Sequence, residues 1–188
     1  PLFSSIEEFT DRTKWLLSTS AMVEGIMHLI SSNPQKDRDF LAMKRSLWSG
    51  TGTRSDLEKM ESNGKRDASV LRNLYIENKD EKIYEIIFRY FDAVNEFLWK
   101  NASADSVITK TIGISVLFDI LKAIIENEGI QNSFKKYISL ISDVDYTSNY
   151  FSLSGGGKVK LRRILKYKLG FLKEADLVEA DIKFLQEQ

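Results

Sequence analysis

The residues with the clearest chemical potential lie near the C-terminal end, where three glycines stand directly before a lysine. The segment reads Ser154, Gly155, Gly156, Gly157 and Lys158. Glycines leave the backbone free to approach a phosphate, and the N-terminus of a following helix favours an anion. The segment is not a Walker A loop, because the motif's first glycine is missing and Val159 replaces the required Ser or Thr. The segment therefore indicates a contact with a phosphate group, but it does not indicate a Walker A nucleotide-binding loop.

Residues 155–173 contain seven cations and no acid: Lys158, Lys160, Arg162, Arg163, Lys166, Lys168 and Lys173. On a helix predicted over about 159–172, the exposed side would carry Lys158, Arg162, Arg163, Lys166 and Lys173. Such a cationic stripe suits the phosphate backbone of DNA. The alternative is a solvated face that pairs with the acidic residues Glu174, Asp176, Glu179 and Asp181. We predict a nucleic-acid or phosphate site at Gly155, Gly156, Gly157, Lys158, Arg162, Arg163, Lys166 and Lys173.

A competing constellation combines Asp143 and Asp145 with Lys158. Paired carboxylates can hold Mg²⁺ or transfer protons, so these residues would suit a nuclease or a nucleotide-dependent enzyme. His28 is the only histidine, and the chain has no cysteine. A histidine-based triad, a multi-histidine metal site and thiolate chemistry are therefore not indicated.

A third candidate is the sequence Thr109, Lys110, Thr111, Ile112 and Gly113. Hydroxyls and backbone N–H groups at a helix start can bind an anion. The alternative is a helix cap followed by a glycine that allows close packing. The sequence leaves both interpretations open.

Helical periodicity extends through nearly the whole chain, and no period-two alternation indicates a strand. The most apolar segment, residues 112–126, is predicted to form a helix at the centre of the core, with Gly129 as its C-cap. Residues 49–65 are rich in glycine, serine and charge, which predicts an exposed flexible loop or a short hairpin of helices. The predicted class is all-α: one compact domain of about seven or eight helices over residues 1–188.

Composition narrows the function classes. Lys plus Arg and Asp plus Glu number 27 each, so the net charge gives no support for nucleic acid or membranes as partners. A hydrophobic content of 43% with 29% charged residues is typical of a soluble globular protein. No apolar run approaches the roughly 20 residues that span a bilayer, and the N-terminal residues show no signal-peptide pattern. Because the chain begins at Pro1 and not at a methionine, we expect a C-terminal fragment of a longer protein.

Four segments, in this order, carry a resemblance to a known family: WLLSTSAMVEGIMHLISSNPQKDRD, LRNLYIENKDEKIYEIIFRYFDAVNEFLW, ITKTIGISVLFDILK and FSLSGGGKVKLRRIL. They resemble the C-terminal helical half of the DGQHR-domain proteins, bacterial proteins related to the DndB regulator of DNA phosphorothioation. The resemblance covers residues 15–165, and its most specific parts are NKDEKIYEII, YFDAV and TKTIG. The motif that names the family, Asp-Gly-Gln-His-Arg, is absent from this chain. The family's functional motif therefore transfers to no residue here.

The resemblance implies a setting in DNA modification, mobile elements or phage defence. DNA and the family's upstream α/β half are the partners that it implies. We therefore predict a non-catalytic, cytoplasmic binding module without cofactor, metal or membrane contact, which touches DNA through the basic helix. The alternative prediction is part of a nuclease or nucleotide-dependent enzyme whose catalytic motif lies upstream.

Overall fold

The computed structural model describes residues 19–47, 52–62 and 66–187 of the 188-residue chain. Within these ranges the backbone forms nine α-helices, short π- and 3₁₀-helical turns, and no β-strand. The predicted all-α class is therefore confirmed. The helices outnumber the predicted seven or eight, partly because residues 55–62 are helical, in a segment for which the sequence leaves a loop and a short hairpin of helices open. No helix in this described part of the chain is long and apolar enough to cross a bilayer.

The helices group into two compact units. Among the described residues, the first unit comprises residues 23–88, and the second comprises residues 89–187 together with residues 19–22. Two helices, α1 (Thr19–Ile30) and α5 (Asp80–Val94), contain the points where one unit gives way to the other. The prediction that residues 1–188 form a single domain stays a prediction.

The first unit contains three complete helices: α2 (Pro34–Leu47), α3 (Ser55–Ser62) and α4 (Arg72–Ile76). Its core includes Leu29, Leu57 and Leu71, whose side chains are shielded from solvent. The amide of Leu71 donates to the carbonyl of Leu29 (2.8 Å), which joins the end of α1 to the start of α4. This backbone hydrogen bond and the buried leucines around it hold the start of α4 in place.

Part of the segment 49–65 differs from the predicted exposed flexible loop. Residues 55–62 form α3, and Leu57 on this helix is buried. The carboxylate of Asp56 accepts a hydrogen bond from the amide of Thr53 (2.9 Å), which fixes the backbone just before the helix. A local hydrogen bond and one well-placed leucine thus outweigh the glycine- and serine-rich composition. Residues 49–51 and 63–65 lie outside the described ranges.

A buried ion cluster ties three helices of the first unit together. Arg72 at the start of α4 is only 2% exposed. Its Nε donates to Glu61 of α3 (2.7 Å), its terminal nitrogens bind Asp37 of α2, and Nη1 also donates to the carbonyl of Ile30 (3.3 Å). Two carboxylates surround one guanidinium, so this cluster presents no positive charge to a ligand.

The second unit is organised around α6 (Thr111–Glu128), most of whose apolar side chains are buried. The hydroxyl of Tyr90 donates to the carbonyl of Leu117 (2.7 Å), and the ring of Phe134 packs edge-on against Tyr90 at 5.4 Å between centroids. The apolar helix predicted at 112–126 is therefore present, and Gly129 is its C-cap as predicted.

Three further helices complete the second unit: α7 (Lys135–Ser139), α8 (Gly155–Lys168) and α9 (Glu179–Gln186). Helix α8 packs against α6 and buries Leu161, Ile164 and Leu165. Helix α9 is anchored by Phe184, whose ring stacks on Tyr150 at 4.7 Å between centroids. The basic helix α8 thus has α6 as one neighbour and α9 as another.

Candidate nucleic-acid interface

Helix α8 begins at Gly155, so all three glycines belong to its first turn and not to a loop ahead of it. Ser154 is the N-cap, and its Oγ accepts from the amide of Gly157 (3.4 Å). A Cβ on Gly157 would lie 1.8 Å from the carbonyl oxygen of Ser152, whereas a Cβ on Gly155 would meet open space. Packing therefore accounts for Gly157, while Gly155 and Gly156 lie exposed at the start of the helix.

On the flank of α8 that faces α6, two cations share a single carboxylate. Lys158 Nζ binds Ser115 Oγ and lies 3.8 Å from Asp119 Oδ2, and Arg162 Nη1 lies 3.5 Å from the same oxygen. The side chains are partly exposed: 36% for Lys158, 40% for Arg162 and 31% for Asp119. One positive charge is therefore in excess on this flank, within reach of solvent.

On the flank that faces α9, Arg163 is held by one buried carboxylate. Its Nε and Nη2 (3.0 Å) both donate to Asp181, whose side chain is fully buried. The hydroxyl of Tyr150 and the amide of Val178 (3.1 Å) also donate to this carboxylate. The sequence predicts Arg163 on the exposed side of the helix, but its side chain is 22% exposed and tied to α9.

These contacts fix the charges of the α9 flank. Burial, reinforced by the hydrogen bond to Asp181, raises the pKa of the Tyr150 hydroxyl to about 12. Burial by itself would raise the pKa of Asp181, but hydrogen bonds from Arg163 and Tyr150 outweigh it and lower that pKa below its ordinary value. At neutral pH the phenol is therefore neutral and the carboxylate ionised, so Asp181 cancels the charge of Arg163.

The remaining cations of α8 differ in their surroundings. Lys160 Nζ lies over the ring of Tyr150, 4.3 Å from its centroid. Lys168 Nζ binds Asp143 Oδ2 at 2.5 Å. Lys166 is half-buried and follows Arg162 by one helical turn, so the two lie on the same side of the helix.

Lys173 does not belong to the helical stripe that the sequence predicts. Helix α8 ends at Lys168, and the amide of Phe171 donates back to the carbonyl of Lys166 (2.9 Å), which closes the helix. Lys173 follows as an exposed residue ahead of a 3₁₀ turn. The apolar pattern up to Leu172 suggests a longer helix because it continues past this closing turn.

Pairing with the acidic C-terminal residues accounts for only one of the seven cations. Asp181 binds Arg163, whereas no ion pair within the described residues joins Glu174 or Glu179 to α8. The carboxylates that bind α8 are instead those of Asp119, Asp143 and Asp181. Three acids against six helical cations leave this helix with a positive surface.

The competing constellation of Asp143, Asp145 and Lys158 is not brought together by the contacts of the described residues. Asp143 binds Lys168, which is ten positions, or roughly 15 Å along the helix axis, from Lys158. Asp145 accepts from the amide (2.9 Å) and hydroxyl (2.6 Å) of Thr147. Among the described residues, no group of three or more acidic or histidine side chains is arranged to hold a metal ion.

The segment from Thr109 to Gly113 supports close packing and not an anion site. A Cβ on Gly113 would lie 2.3 Å from the carbonyl oxygen of Val107, so the backbones meet where no side chain fits. The hydroxyl of Thr109 is buried and donates to the carbonyl of Ser106 (2.9 Å). The geometry therefore supports the interpretation that Gly113 allows two backbone segments to pack closely.

Sequence reasoning missed Asp119, the residue that organises the α6 flank. It is the first acid in the apolar segment 112–126. A carboxylate at the edge of a buried stripe needs a cationic or hydrogen-bonding partner, because burying it alone is costly. That rule predicts a partner for Asp119, but only the packing of α6 against α8 identifies Lys158 and Arg162.

Comparisons of the chain with protein-family models, with curated protein sequences and with solved structures give no match. The resemblance to the DGQHR-domain proteins therefore stays a prediction.

Proposed function

We propose that this chain is a non-catalytic helical binding module that contacts the phosphate backbone of duplex DNA through α8. The observation that carries the proposal is the sharing of Asp119 by Lys158 and Arg162, which leaves positive charge in excess on a partly exposed surface. Lys166 follows Arg162 by one turn, as Arg162 follows Lys158. These three side chains, Lys158, Arg162 and Lys166, form a cationic row along the helix.

The length of the cationic row suits a polyanion with closely spaced charges. Eight residues of helix rise about 12 Å from Lys158 to Lys166. Duplex DNA carries a charge for roughly every 1.7 Å of its axis, so a row of this length meets several phosphates whatever the base sequence. We propose non-specific binding with a Kd on the order of 10⁻⁴–10⁻⁶ M at physiological salt.

The contacts of the acidic residues support a binding role over the alternative of a nuclease or a nucleotide-dependent enzyme. Asp143 is paired with Lys168, and Asp145 stabilises a local turn through Thr147. Lys158 instead binds Ser115 of α6 and lies beside Asp119. We further propose the setting that the DGQHR resemblance implies, a bacterial cytoplasmic system of DNA modification or phage defence with an upstream half as partner. Its support is the sequence resemblance alone.

The direct test measures binding of a short labelled DNA duplex by fluorescence anisotropy over a series of salt concentrations. The triple variant Lys158→Gln, Arg162→Gln, Lys166→Gln should bind roughly 30-fold more weakly at physiological salt, because Asp119 takes up one of the three charges and each of the two lost phosphate contacts forgoes the release of about 0.9 counterion. The slope of log K against log salt should become shallower by about 1.8. Circular dichroism should show unchanged helix content.

A matched control neutralises Lys36, Arg38 and Lys82, which are exposed in the first unit and carry the same total charge. This control triple should change the affinity by less than about twofold if binding is local to α8. Equal weakening by the two triples would mean that overall charge, and not the cationic row, determines binding. Failure of the unmodified chain to bind at low salt would overturn the proposal.

A further inference from the structure

Beside the cationic row, α8 carries a cation whose charge is cancelled by a carboxylate of α9. Arg163 is adjacent to Arg162 in sequence and lies within one turn of Lys166. Its guanidinium makes a bidentate contact with Asp181 of α9. A guanidinium fork matches a carboxylate and a phosphate equally well, so the bond that Asp181 makes is the one that a DNA phosphate would make.

We propose that α9 is an autoinhibitory element: Asp181 occupies Arg163 in the manner of a phosphate, and duplex DNA competes with it for that guanidinium. The inference rests on the proposed binding of DNA by α8 and adds its regulation. Without α9 the positive surface would extend from the cationic row to Arg163. With α9 docked, Asp181 cancels the charge of Arg163, and the cationic row remains for a polyanion.

The contacts that hold α9 in place explain how competition between DNA and Asp181 for Arg163 would displace the whole of α9. Besides the Asp181 cluster, α9 is held by Phe184, which packs on Tyr150 and Phe151. Asp181 also accepts from the amide of Val178 and so caps the start of α9. Helices shorter than about 12 residues are marginal in isolation. Withdrawal of Arg163 from Asp181 therefore loosens an eight-residue helix that depends on its docking.

The test uses the full chain and the same labelled duplex. Asp181→Asn keeps the shape of the side chain and an acceptor for Tyr150 but removes the charge that holds Arg163. We expect roughly fivefold tighter binding at physiological salt and a salt slope steeper by about 0.9, the effect of one added phosphate contact. The matched control is Glu187→Gln, which removes one charge from an exposed position beyond α9, where the carboxylate pairs with Lys183 at 3.8 Å.

Two further measurements separate this inference from a general effect of charge. The gain from Asp181→Asn should vanish in an Arg163→Gln background, because the added contact is that of Arg163. Amide exchange of α9 in the unmodified chain should accelerate when the duplex is bound, since a competition acts in both directions. An equal gain from Glu187→Gln, or a gain that persists without Arg163, would overturn the autoinhibitory role and leave DNA binding intact. Absence of binding by both the unmodified chain and Asp181→Asn would overturn both proposals.

Discussion

Arg72 in the first unit and Arg163 in the second are both bound by aspartate, but their surroundings differ. Arg72 is 2% exposed and is surrounded by two carboxylates, so its cluster is negative overall. Arg163 is 22% exposed and is bound by one carboxylate, so its cluster is neutral and lies nearer the surface. The comparison teaches that the ratio of carboxylates to cations, together with access to solvent, decides whether an arginine ties helices together or can reach a ligand.

The largest effect is expected when the Arg72 cluster is broken. Arg72→Met would leave Asp37 and Glu61 buried side by side without a counter-ion. Removing one partner from a buried ion cluster typically costs about 3–5 kcal/mol, because the desolvated charge that remains is uncompensated. Urea unfolding, followed by circular dichroism and by amide exchange of Leu71, should show a loss of this size.

Arg66→Met is the control for that loss. Arg66 belongs to the same unit as Arg72, but its side chain is exposed and donates to the side chain of Asn73 (3.0 Å). A surface change of this kind should alter the free energy of unfolding by no more than about 0.5 kcal/mol. A loss below about 1 kcal/mol for Arg72→Met would show that the cluster is not the structural tie that we infer.

A smaller loss is expected when the Arg163 cluster is broken. Asp181→Ala removes a charged acceptor that binds Arg163, Tyr150 and the amide of Val178. Hydrogen bonds to charged groups are worth about 1.5–3 kcal/mol. The freed guanidinium of Arg163 can turn toward water, whereas the buried carboxylates of Asp37 and Glu61 cannot. We expect a loss in that range by urea unfolding. A loss as large as that of Arg72→Met would mean that Arg163 is as structural as Arg72.

The pH dependence of stability distinguishes the contribution of Asp181 more finely. Its pKa in the folded protein is lowered, so it stabilises the fold above the ordinary carboxyl pKa of about 3.9 and loses this contribution as the pH falls toward the folded value. Asp181→Asn should therefore be less stable than the unmodified chain at neutral pH, with a difference that narrows below about pH 4. Unfolding free energies measured across this range check the trend. A difference independent of pH would assign the effect to lost shape and not to charge.

The sequence predicted the helical class and the central apolar helix because both follow from local periodicity. Residues 112–126 carry apolar side chains around most of the helix, and a helix with so broad an apolar surface is stable only inside a core. For residues 49–65 the sequence leaves a loop and a short hairpin of helices open, because burial of the helix at 55–62 depends on one residue, Leu57, and on neighbours distant in sequence. Helical periodicity also cannot show where a closing turn ends a helix, which is why the sequence predicts Lys173 on the basic helix although α8 ends at Lys168.

For the candidate site, the sequence predicted the cations but not their partners. Seven basic residues in one segment are visible in the composition, and their helical phase follows from spacing. Which of them stays available is determined by Asp119 and Asp181, and these carboxylates reach α8 only after α6 and α9 pack beside it. The charge excess of a surface is therefore a property of the fold, even where its basic residues are contiguous in sequence.

The smallest effect on stability, and the sharpest test of the comparison, is expected from Asp119→Asn. Asp119 is 31% exposed, and partly exposed ion pairs contribute about 0–1 kcal/mol, so the free energy of unfolding should change by less than about 1 kcal/mol.

Binding of duplex DNA should respond more clearly to Asp119→Asn, because Lys158 and Arg162 would no longer share a carboxylate. If one more phosphate contact forms, the affinity rises roughly fivefold at physiological salt. Anisotropy titrations at several salt concentrations measure this. Unchanged or weaker binding would mean that Asp119 positions the two cations for DNA and does not compete with it, and the excess charge would then lie at Lys166.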